Sequence, residues 1–517
     1  MPTLRDVAVL AGVSTATVSH VVNNSRRTTP ETRARVEWAI AQTGFVPNEF
    51  GRLLALQKNN HHAPETPGPR AVERPATEGF AALSSSARVA PVHDRRPPFA
   101  LAYHHEGAVE PVLNFANNST ARSLLKIVRA AQPISRADLA RRLDVNRSTV
   151  TEIVKPLLAQ GILREASPAQ SGAGRTGRPP IGLSLRGEHT FFIGVSLGAR
   201  RTQVGAATSD GLVLAEESFD TPAEHEEALR LIRLHIEKLR AALPDRSLSL
   251  IAVSVPGPTD PERTKLLYAA HLGWRDVEVA EALRLKEQSA RRMTNYEIPV
   301  IVENDALAAA TYEARRRLRD CADGTWNDFV LVRAGTGIGV GLVLGGEIFR
   351  GTRVGGGLAG EFGHMTIVAG GKLCVCGNRG CWERYASASS ASSLYIGDRP
   401  VMGRTAPRFL EIAARAEAGE RRAQATFENI GEHLGIGIGN VIGGVGIARV
   451  VVSGRVVGGW RFIEGPLKEA LARTMAGRLA PWSVHPGEPT GAGLGGAIEV
   501  AVEQYLATLA VQIKAAA

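Results

Sequence analysis

Cysteine is scarce in this chain, because only four of its 517 residues are cysteine. So few thiols argue against a disulfide-stabilised secreted scaffold and suit a reducing cytoplasm. The chain also lacks an uninterrupted apolar run long enough to span a bilayer. Its first residues show an amphipathic pattern instead of the apolar core of a signal peptide. We therefore expect a cytoplasmic protein with no membrane partner.

Three of the four cysteines lie close together, within residues 361–383. With one histidine they form an H-x9-C-x-C-x4-C array, made of His364, Cys374, Cys376 and Cys381. One imidazole and three thiolates are the ligands of a closed, tetrahedral structural zinc site. The alternative is a set of inert, buried cysteines beside an unrelated histidine. We favour a structural Zn²⁺ ion as cofactor, with the fourth cysteine, Cys321, outside the site.

This stretch resembles the zinc motif of the ROK family (repressors, open reading frames and sugar kinases), which reads E-x-G-H and then C-x-C-G-N-x-G-C-W-E. Upstream, residues 302–306 look like the family's sugar-binding segment and residues 334–339 look like its glycine-rich turn. The resemblance covers about residues 115–510 as one ordered series of motifs. It implies a two-lobed, actin-like (ribonuclease-H-like) α/β domain with a cleft between the lobes, assembled as a homodimer or homotetramer.

By that resemblance, five side chains contact a sugar: Asn304, Asp305, Glu361, His364 and Glu383. Carboxylates and an amide in a cleft suit the several hydroxyl groups of a sugar. Asn304 and Asp305 can also cap the helix that starts at Ala306 and is expected to run through Arg317, and the two roles are compatible. The expected effector is a small sugar or a sugar phosphate.

A sugar kinase of this family needs a catalytic base and a cradle for the phosphates of ATP. Asp305 matches the base. The family's phosphate motif, D-x-G-G-T-K, is altered, because its acid, second glycine and threonine are replaced by Ser196, Ala199 and Arg200. We therefore expect a sugar sensor with a vestigial base, and not an enzyme. The alternatives are a ROK sugar kinase with appended DNA-binding domains and a scaffold whose ROK domain only dimerises.

The charge of the chain is unevenly distributed. The net charge is +10, and nearly all of the basic excess lies in residues 1–190. This asymmetry suggests a polyanionic partner for the N-terminal third, most simply DNA, although a solvated basic surface is the alternative.

Residues 3–24 predict a helix, a turn at Gly12 and a second helix capped by Ser14, and Thr29, Pro30 and Glu31 start a third helix that is expected to run through Ala41. The pattern resembles the DNA-binding headpiece of the lac repressor family, whereas the alternative is a three-helix core of purely structural use. The resemblance implies that three residues contact base edges in the major groove: Thr15, Ala16 and His20. It also makes Leu54 a wedge in the minor groove.

Residues 57–115 are rich in Pro, Ala, His and Arg, which predicts a disordered linker. The next residues predict a winged helix-turn-helix and resemble that of ROK repressors. Its second helix is capped by Ser135, and its recognition helix, which ends near Gln160, opens with Arg147, Ser148 and Thr149. Arg175 and Arg178 at the wing tip suit a narrow, negative minor groove.

We therefore predict four segments. They are a headpiece at residues 1–56, a linker at 57–115, a winged helix-turn-helix at 116–187 and a ROK sugar-sensing domain at 188–517. The predicted function is a sugar-responsive regulator, by this resemblance a repressor, of carbohydrate-metabolism genes. It would bind a DNA operator in the bacterial nucleoid.

Overall fold

The computed structural model describes residues 4–15, 17–18, 21, 29–43, 119–166, 181–288, 295–320, 325–352, 357–397, 406–489 and 492–516. The predicted linker therefore lies outside the described residues. The chain divides into two compact units, residues 1–106 and 107–517, and each is taken by itself below. Within the described ranges, no helix combines the length and the apolar character needed to cross a bilayer.

The first unit contains the helices α1 (Leu4–Ala11) and α2 (Pro30–Thr43). Gly12 adopts a φ of +62° at the predicted turn, a backbone conformation that glycine reaches without strain. The backbone N–H of Thr17 donates to Ser14 Oγ at 3.1 Å, which confirms Ser14 as a cap. The two helices and the residues between them share a small apolar core made of Val7, Ala8, Ala11, Val18, Val21, Val36 and Ala39.

The second unit begins with three helices and a small sheet. The helices are α3 (Ser119–Ala131), α4 (Arg136–Leu143) and α5 (Arg147–Ala159), and the strands, in sheet order, are β1 (Ile134–Ser135), β3 (Gly182–Leu185) and β2 (Leu163–Ala166). Ser135 caps α4, because its Oγ accepts the backbone N–H of Asp138 at 3.1 Å. Asp144 then turns the chain in the left-handed region, with a φ of 52°. This arrangement is a winged helix-turn-helix.

Two five-stranded sheets of the same topology follow. In each sheet, the first three strands along the chain are antiparallel neighbours. Two later strands then extend the sheet in parallel beside the first of these three. The first lobe has the order β12 (Val300–Asn304), β7 (Ser247–Val255), β4 (Thr190–Leu197), β5 (Arg201–Ala207) and β6 (Val213–Asp220). The second has the order β17 (Ser483–Pro486), β16 (Arg449–Ser453), β13 (Phe329–Ala334), β14 (Ile338–Leu344) and β15 (Glu347–Phe349). The repeated order shows a duplicated fold.

Further elements cover these sheets. The first lobe adds α6 (His225–Ala241), α7 (Val279–Ala282) and two hairpins, β8 (Leu266–Ala269) with β9 (Trp274–Val277) and β10 (Lys286–Gln288) with β11 (Asn295–Glu297). The second lobe adds α9 (Glu383–Ala386), α10 (Ser390–Ile396), α11 (Phe409–Glu417), α12 (Arg421–Val445), α13 (Trp460–Arg473) and α14 (Met475–Leu479).

Two helices join the lobes, α8 (Asp305–Asp320) and α15 (Ala492–Ala516), and they pack against each other. One face of α8 contacts the second sheet through Leu307, Ala309 and Ala310. Another face, at Ala308, belongs to the apolar cluster of the first sheet. A change at the N-terminus of α8 therefore reaches both lobes.

The winged helix-turn-helix and the first lobe share one apolar core. Leu124 and Leu125 of α3 are fully buried in the same cluster as Phe192, Leu250 and Ile498. An ion pair crosses this junction as well, because Arg129 Nη2 donates to Glu499 Oε1 at 2.8 Å. The winged helix-turn-helix is thus packed directly onto the first lobe and α15.

Candidate functional site

Asn304 and Asp305 lie where β12 passes into α8. Asn304 Oδ1 accepts the backbone N–H groups of Ala306 at 2.8 Å and Leu307 at 3.2 Å, so it caps this helix. Its amide Nδ2 donates to the carbonyl of Gly257 at 3.1 Å and lies 3.4 Å from Glu361 Oε1. Because Oδ1 caps the helix, the amide nitrogen of Asn304 is the atom that faces Glu361.

Asp305 is half-buried at the first turn of α8, and it forms an ion pair with Arg333 at the end of β13. The pair joins the first lobe to the second. The carboxylate of Asp305 is therefore already paired with the guanidinium group of Arg333. A catalytic base would instead face the hydroxyl group of its substrate.

Glu361 opens a short 3₁₀ helix, Glu361–His364. Burial, followed by the negative charges of Asp305 and Glu383, raises the pKa of Glu361 to about 7. The three acids are therefore close enough to affect one another. Several carboxylate oxygens facing one space are suited to a ligand with several hydroxyl groups.

Glu383 begins α9 and is only 5% exposed. His271 Nε2, from the turn between β8 and β9, lies 3.7 Å from Glu383 Oε2. Gly337 lies against the same pair, since a Cβ atom there would lie 2.5 Å from Glu383 Oε2 and 3.2 Å from His271 Nε2. A larger residue at this position of the turn would therefore displace one of these two side chains.

The four predicted zinc ligands come together. The ligand atoms of His364, Cys374, Cys376 and Cys381 all lie within 4.8 Å of one another. His364 Nδ1 is 3.6 Å from Cys374 Sγ, and Cys376 Sγ is 3.7 Å from Cys381 Sγ.

The donor set and its spacing fit a tetrahedral zinc ion. A zinc–sulfur bond of about 2.3 Å implies sulfur atoms about 3.8 Å apart, and the separation of 3.7 Å agrees. The loop is shaped for close ligands, because Gly377 and Gly380 have φ angles of 93° and 76°. Asn378 Nδ2 also lies 3.4 Å from Cys381 Sγ, where it can donate to a thiolate.

His364 connects the cysteine cluster to the acids. Its Nδ1 faces Cys374, while its Nε2 lies 3.9 Å from Glu361 Oε2. Cys374 Sγ in turn lies 3.1 Å from Glu383 Oε1. The cysteine loop is anchored behind this contact by Trp382, which is fully buried and donates Nε1 to the carbonyl of His433 on α12 at 2.8 Å. A well-ordered cysteine loop therefore helps to hold the side chains of Glu361 and Glu383 in place.

The altered phosphate motif lies between β4 and β5. Ser196 is half-buried near the end of β4, and Arg200 is exposed in the following turn. The first turn of α15 packs on Ser196, because a Cβ at Gly493 would lie 2.6 Å from Ser196 Oγ. Ala199 lies between them in the turn, half-buried.

The predicted DNA-contacting residues are only partly described. Arg147 and Ser148 are exposed and Thr149 is half-buried in the first turn of α5, and Thr15 is exposed in the headpiece. The others lie outside the described residues: Ala16, His20, Leu54, Arg175 and Arg178.

Two residues at the acid cluster were missed by the sequence reasoning, namely His271 and Arg333. His271 belongs to no motif, and only the fold brings it to Glu383. Arg333 has a weak signal, since it directly precedes the glycine-rich turn.

Helix-turn-helix units joined to a two-lobed α/β domain define a class of DNA-binding regulators. The lacI family model of bacterial regulatory proteins matches residues 3–48, and a winged helix-turn-helix DNA-binding model matches residues 117–164. The ROK family model matches residues 192–503, which is more than half of the chain. The chain belongs to the ROK family, and the resemblances noted from its sequence are confirmed.

Two of the relatives are named as a repressor and a regulator of transcription. The xylose repressor of Bacillus spizizenii is 28% identical over 332 residues, which is 63% of this chain and 80% of the repressor. The DNA-binding transcriptional dual regulator NagC of Escherichia coli is 27% identical over 353 residues, 66% of this chain and 80% of its own length.

A solved ROK family transcriptional regulator, a homologue of the E. coli MLC protein, confirms the fold. It aligns with 77% of this chain and 99% of its own, at 22% identity and a TM-score of 0.59.

Proposed function

We propose that this ROK family regulator is a transcriptional repressor whose DNA binding responds to a sugar held between its two lobes. The observation that carries the proposal is the cluster of Asn304, Asp305, Glu361 and Glu383, which presents carboxylate and amide groups from both lobes. Such groups hydrogen-bond neighbouring sugar hydroxyls in pairs. One of the relatives is named a xylose repressor, which supports a sugar as the effector class.

The path from this site to DNA supports the proposal. Helix α8 begins at Asp305 and carries Arg315, which forms an ion pair with Glu499 on α15. Glu499 also holds Arg129 on α3 of the winged helix-turn-helix. A ligand that shifts the start of α8 thus acts on a chain of rigid, packed elements that ends at the DNA-binding unit.

Zinc and self-association are part of the proposal. The ion would be held by His364 and the three cysteines, where it would act structurally, by ordering the loop that carries Glu361 and Glu383. A homodimer would pair the recognition helices on a two-fold symmetric operator. Within the winged helix-turn-helix, the residues that would contact DNA are Arg147, Ser148 and Thr149 in the groove and Arg175 and Arg178 on the wing.

The test starts from DNA. Genomic fragments bound by the full chain are selected, and binding to the recovered site is measured by fluorescence anisotropy against hexoses, N-acetylhexosamines and xylose. We expect at least one sugar to change operator affinity.

The kinase alternative is tested in the same samples by a coupled ATP assay. We expect no sugar-dependent ATP consumption, because Ser196 and Arg200 replace the acid and the threonine of the phosphate motif. Steady turnover would favour the kinase.

Replacing Asp305 with asparagine is expected to weaken sugar binding by about ten- to a hundredfold. The change removes one charge-assisted hydrogen bond, which is worth about 1.5–3 kcal/mol. Isothermal titration calorimetry with the sugar found above measures the affinity.

The matched control is Asp320→Asn, at the opposite end of the same helix, where the carboxylate is half exposed and pairs with its neighbour Arg319. We expect it to leave sugar affinity unchanged. Equal affinity for Asp305→Asn and the wild type would remove Asp305 from the binding site.

A further inference from the structure

The headpiece carries a helix-turn-helix that is separate from the winged one. It belongs to the first compact unit, residues 1–106, whereas the winged helix-turn-helix belongs to the second. The lacI family model and the winged helix-turn-helix model also match ranges that do not overlap, residues 3–48 and 117–164. One chain therefore contains two DNA-binding motifs.

The headpiece builds its core from its own residues. Every member of its apolar cluster lies between Val7 and Ala39. The winged helix-turn-helix instead shares a core with the first lobe, through Leu124 and Leu125 of α3. In the part of the chain that the structure describes, the apolar core of the headpiece is therefore made without a residue of either lobe.

The second helix of the headpiece presents its N-terminal end to solvent. Ser14 and Thr15 are exposed at its start, while Val18 and Val21 further along the same helix are buried. Ser14 Oγ accepts the backbone N–H of Thr17, which fixes where the helix begins. A recognition helix contacts base edges with its N-terminal residues while another face packs on its own unit. The described residues have this pattern of burial.

Helix α5 of the winged helix-turn-helix has the same pattern. Arg147 and Ser148 are exposed at its start, and Val150 and Val154 are buried. Residues 44–118 connect the described part of the headpiece to α3, and a chain of this length spans at most roughly 250 Å. One turn of DNA is about 34–36 Å long. The two helices can therefore lie on DNA elements that are several turns apart.

We infer that the headpiece binds a DNA element of its own, so that one chain reads a bipartite operator through two recognition helices. The inference goes beyond the proposed function, in which the winged helix-turn-helix reads the operator. Two linked modules bind more tightly than either alone, because binding of one raises the local concentration of the other to about the millimolar range.

The two elements should differ in their response to a sugar. The proposed path from the sugar site runs along α8 and through Glu499 to Arg129 of α3. Among the described residues, no member of the headpiece core belongs to this path. A sugar should therefore release the element bound by α5, while the headpiece keeps the protein on its own element.

The experiment is hydroxyl-radical footprinting of the full chain on the genomic fragments that it selects. We expect two protected patches. Thr15→Glu should remove one patch and Ser148→Glu the other, because each adds a negative charge at the exposed start of a recognition helix, beside the DNA phosphates. A glutamate there is compatible with the helix, since it complements the helix dipole. Each variant should lose at least about tenfold in affinity for a fragment that carries both elements.

Two further variants identify the cause of a lost patch. Thr15→Gln has the size of the glutamate variant without its charge, so it should weaken the headpiece patch less, whereas an unfolded headpiece would lose the patch in both. Ala34→Glu is the matched control, because Ala34 is exposed on α2 and lies outside the recognition helix. It should keep both patches.

Hexoses, N-acetylhexosamines and xylose are then added one at a time to the wild type. Any sugar that acts should clear only the patch that Ser148→Glu removes, and a sugar that clears both would contradict the independence of the headpiece. If two patches are present and no sugar changes either, the bipartite operator stands and the proposed sugar response is wrong.

The bipartite operator itself is wrong if the Thr15→Glu protein protects the same bases as the wild type, with the same affinity and salt dependence. Loss of one common patch in Thr15→Glu and Ser148→Glu would also contradict it, because the two helices would then share a single element. Loss of the headpiece patch in Ala34→Glu would contradict the assignment of the recognition helix.

Discussion

Replacing Cys376 with serine is expected to reduce the zinc content from one ion per chain to nearly none and to lower stability sharply. The four ligand atoms lie within 4.8 Å of one another, and the sulfur atoms of Cys376 and Cys381 are 3.7 Å apart, as around a zinc ion; serine cannot supply the thiolate. In small zinc domains the metal contributes about 10–16 kcal/mol of apparent binding free energy at pH 7. Metal analysis by mass spectrometry and thermal unfolding measure the two effects.

Cys321→Ser is the control, because it removes the one cysteine outside the motif and should keep the metal. Sugar affinity gives a second measurement. Cys374 and His364 lie against Glu383 and Glu361, so a chelator should also weaken binding of the sugar. Purified wild-type protein without zinc, or a Cys376 variant of full stability, would contradict the prediction.

Replacing Glu499 with glutamine is expected to destabilise the second unit by about 3–5 kcal/mol, since it removes the carboxylate that pairs with the buried Arg129 and with Arg315. Glu499 is 3% exposed and pairs with Arg129 and Arg315. Arg129 is already in an unfavourable environment for its charge, because burial lowers its pKa to about 10 despite the charge of Glu499. Thermal and urea unfolding measure the loss.

The matched control is Glu464→Gln on α13, an exposed carboxylate paired with Lys468, where we expect a change of at most about 1 kcal/mol. The double variant Arg129→Met/Glu499→Leu tests the mechanism, because it removes charges from both sides of the junction. It should be more stable than Glu499→Gln alone. A Glu499 variant as stable as the control would show that the buried pair is not needed at this junction.

Features that depend on residues close together in the sequence, such as helix caps and the zinc ligands, could be predicted best. Ser14 and Ser135 are predicted caps, and both accept the expected backbone N–H groups. The four predicted zinc ligands could be grouped from their spacing, since three of them lie within one short loop. The bounds of α8 were less exact, because this helix was expected to end at Arg317 and continues to Asp320.

Contacts between distant parts of the chain could not be predicted in this way. His271 reaches Glu383, and Arg129 reaches Glu499, only because separate elements pack together. No local pattern marks such residues, because a buried ion pair depends on the position of its partner in the fold.

The core shared by the winged helix-turn-helix and the first lobe limits how this regulator can be re-engineered. A chimaera that grafts another DNA-binding unit at residue 187 would uncover Phe192, Leu250 and Ile498, which now pack with Leu124 and Leu125 of α3. Exposed apolar patches of this kind promote aggregation. An exchange of operator specificity should therefore retain α3 and replace only the solvent-facing residues of α5, so that the graft follows the surface of the protein and leaves its interior intact.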